Sequence, residues 1–339
     1  MSPAHERSLP EGDDAAYRGR CWVVTDGIPG LENQCFGLAE ALGARPQLKR
    51  VRIRRLWRYL MPRLWLRPFA ALDPAGDPLT PPWPDLLIAS GRVTVALSVA
   101  IRRASAGRTF TVQIQSPAVW LDQFDLIVAP AHDRLRGPNV VSTWGGLNRI
   151  TPARLADAAK AIEAAIAHLP RPRFAVLLGG PNKVYRFDPA FAALAGDRLA
   201  RIARESGGSL LVTPSRRTGD ANMAEIRRCL AGVPAAIWDG AGDNPYYGYL
   251  GAADAIIVTG DSVNMVSEAA TTGKPVHVID LPGQGSRKFK AFHARLREAG
   301  ITRSFDGTFA TWDYVPLDDV HMAARALKER LIARGRWPG

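Results

Sequence analysis

The amino-acid sequence predicts an α/β protein built from two doubly wound Rossmann-like domains. Apolar runs of strand length alternate with helical segments along nearly the whole chain, which indicates parallel sheets covered by helices. The length of 339 residues suits about two domains, and the 47% of hydrophobic residues can fill two cores. The alternation begins afresh after a Pro- and Arg-rich stretch at residues 169–173, which we interpret as a linker.

The first half of the chain contains the elements of one such domain. Short, continuously apolar runs predict strands, because parallel strands are buried on both faces. The predicted strands are Cys21–Thr25, Leu48–Ile53, Asp85–Ala89, Thr109–Ile114, Leu126–Ala129 and Val140–Ser142. The predicted helices are Leu31–Leu42, Val93–Ala104 and Pro152–His168.

The second half repeats the pattern and ends in one further helix. Strands are predicted at Phe174–Leu178, Leu210–Thr213, Ala235–Trp238, Ala255–Val258 and Val276–Ile279. Helices are predicted at Pro189–Glu205, Ala221–Leu230, Tyr246–Leu250, Val263–Thr272 and Phe289–Ala299. Apolar residues near helical spacing in Leu317–Arg334 predict an amphipathic helix that packs back on the first domain. We therefore divide the chain into a disordered tail (1–19), two domains (20–170 and 171–316) and a C-terminal helix (317–339).

Residues 254–276 are the most informative segment, because they combine a buried strand, a polar turn, a helix and a second strand. Asp261 and Ser262 are natural N-caps for the helix, and Gly273 ends it. A helix N-terminus at the carboxyl end of a parallel strand suits a phosphate or diphosphate. Glu268 lies on this helix, close enough to bind sugar hydroxyls. The alternative is an ordinary turn with a solvent-facing glutamate.

Other loops of the second half follow strands of the same predicted sheet, and their side chains suit a nucleotide. Two adjacent arginines favour phosphate oxygens, which guanidinium groups bind in pairs, although a solvated arginine turn is the alternative. The loop before Ala255 could supply a base-stacking or base-edge contact. The predicted nucleotide-binding residues are Gly180, Asn182, Ser215, Arg216, Arg217, Thr218, Asn244, Tyr246, Asp261, Ser262, Asn264 and Glu268.

The first half supplies two candidate catalytic residues. Asp26 follows the first strand and is placed to act as a general base, with helix capping as the alternative. His132 stands beside Asp133 at the end of a later strand, although a lone histidine is more often structural. The loop Ser90-Gly91-Arg92 follows another strand and is either part of the site or a simple turn. No GxGxxG motif is present, so a conventional dinucleotide site is not supported.

The net charge of +12 is concentrated in residues 45–67, which carry nine Lys and Arg residues and no acidic one. Aromatic and aliphatic residues lie between them, a mixture typical of contact with anionic lipid. Pro62 should divide the segment into two short amphipathic pieces. Nucleic acid is not an expected partner, because zinc-finger, RRM and KH signatures are missing. A further alternative places the tryptophans in the core beneath solvated arginines. The predicted membrane-binding residues are Arg54, Arg55, Trp57, Arg58, Leu60, Leu64 and Trp65.

Several classes of protein and site are not supported by the composition. The three cysteines, Cys21, Cys35 and Cys229, show no CxxC spacing, so neither a disulfide framework nor a zinc site is predicted. The first 19 residues lack the pattern of a signal peptide, and no run of about 18 apolar residues occurs. We therefore expect a chain that is neither exported nor integral to a membrane. No DxD motif is present, so we expect a site without metal and without a cofactor.

Six motifs carry a resemblance to a known family: TDGIPGLENQ, VAPAHD, LGGPNK, TPSRRT, DNPYYGYLGAADAIIVTGDSVNMVSEA and GKPVHVIDL. Between residues 20 and 305 the chain resembles the mitochondrial fission Elm-one family, which has a bacterial branch, and its organisation resembles GT-B glycosyltransferases. The resemblance implies that Glu268 holds the ribose of a uridine-type donor and that the preceding turn binds its diphosphate. The first loop lacks the Gly-Gly-His sequence of the peptidoglycan lipid-intermediate transferase, so Asp26 and His132 both remain candidates for the catalytic base.

The resulting hypothesis is a metal-independent glycosyltransferase that moves a sugar from a nucleotide-sugar donor to a lipid-type acceptor. We expect it in the cytoplasm, peripheral to the inner face of an anionic membrane. Residues 171–316 would bind the donor, and residues 20–170 would face the acceptor and the membrane. Two alternatives are a nucleotide-sugar epimerase or hydrolase and a non-enzymatic membrane-associated adaptor of the fission type.

Overall fold

The computed structural model describes residues 16–337, which form two compact α/β units. The first unit comprises the described residues up to Val128, Gly137–Val141 and the described residues from Val320 onward. The second comprises Ala129–Arg136 and Ser142–Asp319. The predicted tail over residues 1–19 lies outside the described residues, apart from residues 16–19.

The first sheet has six strands in the order β2-β1-β3-β4-β5-β6, and the pairings from β2 to β5 are parallel. Its strands are β1 (Cys21–Thr25), β2 (Gln47–Arg50), β3 (Leu86–Ser90), β4 (Phe110–Ile114), β5 (Leu126–Pro130) and β6 (Val140–Thr143). The helices of this part are α1 (Pro29–Ala41), α2 (Arg55–Tyr59) and α3 (Thr94–Ala104). Helix α1 lies against β1 and β3, and α3 lies against β3 and β4.

The second sheet also has six strands, all in parallel pairings, in the order β12-β11-β10-β7-β8-β9. Its strands are β7 (Arg173–Leu178), β8 (Ser209–Pro214), β9 (Ala235–Ile237), β10 (Ala255–Thr259), β11 (Val276–Ile279) and β12 (Thr302–Ser304). The helices are α4 (Pro152–Ile166), α5 (Pro189–Ser206), α6 (Asp220–Cys229), α7 (Tyr246–Ala252), α8 (Val263–Thr271) and α9 (Arg287–Glu298). The strand order changes direction at β7 and β10, so ligands are expected beyond their carboxyl ends.

The predicted fold class is confirmed, and the differences from the predicted elements are local. The predicted strand Leu48–Ile53 ends at Arg50, and Ile53 makes only an isolated bridge with Leu72. Strand β12 was not predicted because it is short and mostly polar. Residues 142–170 lie in the second unit rather than before a linker, because α4 packs on α7.

The last helix, α10 (Asp319–Ala333), begins at the last residue of the second unit and belongs to the first unit from Val320 onward. Its apolar residues Ala323, Ala324, Leu327 and Leu331 are buried. Beyond the helix, Arg334 pairs with the carboxylate of Asp125. Of the four apolar residues at helical spacing, Val320, Ala324, Leu327 and Leu331, the last three are therefore on the buried face, and Val320 is half-buried.

Between β2 and β3 the chain forms short helical turns rather than one helix. Helix α2 ends at Tyr59, and Pro62 begins a 3-10 turn, as predicted. Trp65 is buried in the core of this unit, so the prediction that it faces a membrane is wrong. Trp57 is half-buried and packs edge-on against Trp65, with ring centroids 5.8 Å apart. Both indoles serve packing, since their large apolar rings fill space beneath the turns.

The remaining predicted membrane-binding residues differ in whether the protein itself binds their side chains. Arg54 donates from Nε to the carbonyl of Leu72 at 3.1 Å, so it helps to fix the turn. The side chains that are exposed on these turns are Arg55, Leu56, Arg58, Tyr59, Leu60, Met61, Arg63, Leu64, Leu66 and Arg67. We call them the exposed basic-apolar segment. Over residues 16–337, the structure contains no helix with the length and apolar character needed to span a membrane.

The burial of Trp65 can be tested against its neighbour Leu66, which is 92% exposed. We expect Trp65→Ala to lower the free energy of unfolding by about 3–5 kcal/mol, because it leaves a cavity in the core. The control Leu66→Ala should change it by less than about 0.5 kcal/mol. Urea unfolding followed by circular dichroism measures both values. Equal, small effects at the two positions would contradict the burial of Trp65.

Candidate functional site

Three loops at the carboxyl end of the second sheet are bonded to one another through a buried carboxylate. Oδ2 of Asp261, after β10, accepts from the backbone N–H of Gly180 at 3.1 Å, after β7. The same oxygen accepts from Nη2 of Arg217 at 2.7 Å, after β8. Arg217 also donates from Nη1 to the carbonyl of Gly180 at 3.2 Å. The guanidinium is therefore already engaged, and Arg217 holds the loops together.

Close packing explains the two glycines of the loop after β7. A Cβ atom at Gly179 would lie 2.1 Å from Oδ1 of Asp261. A Cβ atom at Gly180 would lie 2.1 Å from the carbonyl oxygen of Arg217. Glycine is thus required at both positions by the protein's own contacts.

The predicted residues Ser215, Thr218 and Asn182 shape the same loops. The buried hydroxyl of Thr218 accepts from the N–H of Ser215 at 3.0 Å and lies within hydrogen-bond distance of the carbonyls of Leu178 and Gly179 at the end of β7. Oδ1 of Asn182 accepts from the N–H groups of Val184 and Tyr185 at 2.9 and 3.0 Å. Arg216, in contrast, is exposed, and no partner for it is found within the described part of the chain. Arg216 is therefore available for an anionic ligand.

Helix α8 begins at the carboxyl end of β10 with Ser262 as its N-cap. The Ser262 hydroxyl accepts from the N–H of Met265 at 3.3 Å. Asp261 was predicted as an equal candidate for this cap, but its side chain is turned inward to Arg217. A hydrogen bond with the buried His293 also fixes the turn between β10 and α8, since Nε2 of His293 lies 2.7 Å from the carbonyl oxygen of Gly260. The half-buried Asn264 lies in the first helical turn.

Glu268 lies on α8 and is buried, so the alternative of a solvent-facing glutamate is wrong. The Tyr246 hydroxyl donates to its Oε2 at 2.5 Å. Burial raises the pKa of Glu268 to about 7, an effect that the hydrogen bond from Tyr246 opposes. Burial and the adjacent carboxylate raise the pKa of Tyr246 well above its usual value. At neutral pH the phenol is therefore a hydrogen-bond donor that orients the carboxyl group.

Asn244 completes this arrangement. Its Oδ1 accepts from the Thr213 hydroxyl at 3.1 Å and from the N–H of Tyr246 at 3.0 Å. A connected series of hydrogen bonds thus runs from the end of β8 to Glu268. Asn244 and Tyr246 were predicted as contacts to a base, and the structure assigns them a role in positioning Glu268.

Asp26 follows β1 in the first unit, in a loop held by a residue that was not predicted. Glu32 accepts from the Thr25 hydroxyl at 3.1 Å and from Nε and Nη2 of Arg50 at 2.7 and 3.0 Å. These bonds from Arg50 hold the pKa of Glu32 below its usual range. Oδ1 of Asp26 is buried without a hydrogen-bond partner. Helix α1 has no side-chain cap, so the capping alternative for Asp26 is wrong.

His132 lies in the second unit, which corrects its predicted assignment to the first domain. Its ring packs edge-on against Phe292 of α9, with centroids 5.7 Å apart. The neighbouring Asp133 pairs with Lys288 of α9 at 2.6 Å. Burial lowers the pKa of His132, so the imidazole is neutral at pH 7. Across residues 16–337, no group of three His, Cys, Asp or Glu side chains could hold a metal ion.

Comparison with solved structures supports the fold. UDP-GlcNAc 2-epimerase from Methanocaldococcus jannaschii, crystallised in complex with UDP-GlcNAc and UDP, is similar with a TM-score of 0.52. The match covers 93% of this chain and 100% of the other, at 11% sequence identity. At this identity the likeness concerns the fold alone, which is of the GT-B type.

Comparison of sequences identifies relatives. The mitochondrial fission protein ELM1 of Arabidopsis thaliana is 36% identical over 281 residues, which are 74% of this chain. The match spans 65% of the plant protein. An uncharacterized protein of Rickettsia prowazekii, RP120, is 28% identical over 284 residues, covering 72% of this chain and 79% of that protein. The family model of mitochondrial fission ELM1 matches residues 29–331. The chain therefore belongs to the mitochondrial fission ELM1 family.

Proposed function

We propose that the protein is a metal-independent glycosyltransferase with its nucleotide-sugar site at the carboxyl end of the second sheet. The observation that carries the proposal is the buried Glu268, oriented by Tyr246 on a helix that begins at the end of β10. Only Oε2 is bonded to Tyr246, so Oε1 can accept hydrogen bonds from the ribose hydroxyls of a uridine-type nucleotide.

The raised pKa of Glu268 gives this site a defined linkage to pH. Ribose hydroxyls donate hydrogen bonds, so they favour the ionised carboxylate over the neutral acid. Near pH 7 a part of the free protein carries the proton, because the pKa is about 7. Nucleotide binding therefore releases a proton in this range and becomes stronger as the pH rises through it. The pH dependence of folding has the opposite sign. Because the pKa of Glu268 is higher in the folded protein than in the unfolded chain, the free energy of unfolding falls as the pH rises through this pKa.

The diphosphate is assigned to the N-terminus of α8 and to Arg216. The first N–H groups of the helix carry a partial positive charge, and Ser262 defines where the helix begins. Arg216 is the guanidinium of its loop that has no partner in the described structure, whereas Arg217 is bonded to Asp261. Fixed positive groups of this kind stabilise the charge that develops on a leaving diphosphate.

In the proposed transfer, an acceptor hydroxyl gives its proton to a base while its oxygen attacks the anomeric carbon of the sugar. The bond between that carbon and the diphosphate oxygen breaks, and the nucleoside diphosphate leaves with the electron pair. Asp26 and His132 are the candidate bases. His132 is neutral because burial lowers its pKa, so it can accept a proton.

A lipid-type acceptor and a place at the inner face of the membrane are proposed from the exposed basic-apolar segment. Its arginines carry positive charge that suits anionic lipid head groups, and its leucines suit the boundary with the acyl chains. The two alternatives make different use of the chain. An epimerase or hydrolase needs the nucleotide site but no acceptor, and a membrane-associated adaptor needs only the exposed segment.

Turnover separates these three functions. With UDP-GlcNAc as the probe donor, we expect UDP release only when extracted membrane lipid is added, and we expect the sugar to appear in the lipid fraction. UDP release or epimer formation without lipid would instead show a hydrolase or an epimerase. Thermal unfolding should show stabilisation of about 2.7 kcal/mol at UDP concentrations 100-fold above Kd. If neither nucleotides nor nucleotide sugars stabilise the protein in thermal unfolding, the membrane-associated adaptor is the remaining function.

The role of Glu268 has its own test by calorimetry with UDP. We expect Glu268→Ala to weaken binding by about 1–3 kcal/mol, because hydrogen bonds to a charged group are lost. Wild-type affinity should rise between pH 6 and pH 8 with proton release, seen as a dependence of the heat on the buffer; Glu268→Gln should lose this dependence. Glu298→Ala, at an exposed position on α9, is the control. Unchanged affinity in a folded Glu268→Ala protein would remove Glu268 from the site.

Membrane attachment is tested by sedimentation with vesicles. Replacing Arg55, Arg58 and Arg63 by Gln should lower partitioning onto anionic vesicles by roughly two orders of magnitude, at about 1 kcal/mol for each residue. The control protein carries the same loss of charge at three exposed positions elsewhere, Arg103, Arg186 and Arg227. Binding of the wild type should weaken with salt. Equal binding to neutral and anionic vesicles, or equal losses in both variants, would contradict the proposal.

A further inference from the structure

Two polar residues of the first unit follow the neighbouring strands β1 and β3: Asp26 comes after β1 and Arg92 after β3. Val24 of β1 pairs with Ala89 of β3 in parallel register. Asp26 lies two residues beyond Val24, and Gly91 and Arg92 lie two and three residues beyond Ala89. The loop after β3 lies against α1, since a Cβ atom at Gly91 would lie 2.8 Å from Cδ1 of Leu31. A residue with a carboxylate and a residue with a guanidinium thus follow adjacent strands at the carboxyl end of the sheet.

Neither side chain is fully used by the protein. Asp26 is half-buried, its Oδ1 is buried without a hydrogen-bond partner, and no ion pair to it is found within the described part of the chain. Arg92 is exposed and donates from Nη2 to the carbonyl of Leu60 at 2.8 Å. A guanidinium has five N–H donors, so the others are free for a ligand. An unsatisfied buried carboxylate oxygen costs free energy, and a ligand that donates a hydrogen bond to it removes that cost.

The loop that carries Asp26 is fixed before any ligand binds. The Thr25 hydroxyl accepts from the N–H of Gly27 at 3.2 Å and donates to Glu32 at 3.1 Å. Arg50 holds both oxygens of Glu32. Asp26 lies between Thr25 and Gly27, so this network sets the position of its backbone. The arrangement is that of a preorganised site rather than of a mobile turn.

The bond from Arg92 to Leu60 joins this arginine to an apolar surface. Leu60, Met61 and Leu64 are 40%, 44% and 54% exposed, and they lie on the turns that follow α2. Arg63 is exposed among them, and residues 45–67 contain no acidic side chain. A ligand at Arg92 therefore has an apolar surface next to its anionic group. Charge and polarity together match an anionic amphiphile, with the anion at Arg92 and the chain along the leucines.

We propose that Asp26, Arg92, Leu60, Met61 and Leu64 form a binding site for a phosphate-bearing amphiphile. Arg92 binds the phosphate, Asp26 accepts a hydrogen bond from a hydroxyl group of the same molecule, and its apolar chain lies on the leucines. The identification of this molecule as the acceptor rests on the proposed function, whereas the binding site itself does not. The acceptor is then a phosphate-bearing lipid with a free hydroxyl, and Asp26 is the group placed at that hydroxyl.

Binding of decyl phosphate, below its critical micelle concentration, tests the site in the full-length protein by calorimetry. Decyl maltoside, which has an uncharged head, and inorganic phosphate, which has no chain, are compared with it. We expect decyl phosphate to bind at least tenfold more tightly than either. Arg92→Gln should weaken decyl phosphate at least tenfold and leave decyl maltoside unchanged. Leu60→Ser with Leu64→Ser should weaken both alkyl ligands at least tenfold and leave inorganic phosphate unchanged.

Two controls separate the site from non-specific attraction. Arg103→Gln removes an exposed arginine at the other end of α3 and should leave decyl phosphate binding within twofold of wild type. Arg58→Gln should weaken vesicle binding but leave decyl phosphate binding within twofold. Equal affinity for decyl phosphate and decyl maltoside, or an unchanged affinity in a folded Arg92→Gln protein, would overturn the proposal. If decyl phosphate binds as expected but no UDP sugar binds, the amphiphile site stands and the proposed glycosyltransferase function is contradicted.

Discussion

The candidate nucleotide site depends on one ion pair, between the buried carboxylate of Asp261 and the guanidinium of Arg217. It joins the loops that follow β7, β8 and β10. A side chain at either of the two glycines after β7 would collide with Asp261 or Arg217. A buried charge without its partner is strongly unfavourable, so the pair commits the three loops to one arrangement. The N-terminus of α8 and the position of Glu268 follow from that arrangement. Because Arg217 is paired with Asp261, Arg216 is the cation of this loop for which no partner is found among residues 16–337.

The parallel sheets explain why the functional groups gather where they do. Every strand of a parallel sheet ends at the same edge, so the loops after the strands converge although they are far apart in the sequence. In the second unit this edge holds Glu268, Ser262 and Arg216, and in the first unit it holds Asp26 and Arg92. Each set is supported by a separate network, Asn244 with Tyr246 in one and Glu32 with Arg50 in the other. Both networks place a carboxyl group that the protein itself leaves only partly satisfied.

Some residues of the segment between β2 and β3 pack in the core, and others are exposed to solvent. The indole of Trp65 fills the core, while Leu66, its neighbour, is exposed to solvent. The turns that begin at Pro62 make this division possible, because adjacent residues of such turns point in different directions. The exposed basic-apolar segment consequently lies next to the packed indoles of Trp57 and Trp65. The leucines and arginines of this segment are thereby exposed to solvent in the folded protein, as the proposed contact with lipid requires.

The sequence by itself determined the fold class, the family and the approximate bounds of most strands and helices. These features are local: apolar periodicity, caps and the glycines that end helices are all visible within a few residues. The motif around Glu268 was likewise recognisable, because a strand, a turn and a helix follow one another in the chain. Tertiary structure alone decided which side chain meets which. It turned Asp261 away from the cap toward Arg217, placed the Tyr246 hydroxyl on Glu268, assigned His132 to the second unit and buried Trp65 but not Leu66. Such pairings join residues that are distant in sequence, and they depend on the packing of loops and on burial, neither of which a local pattern encodes.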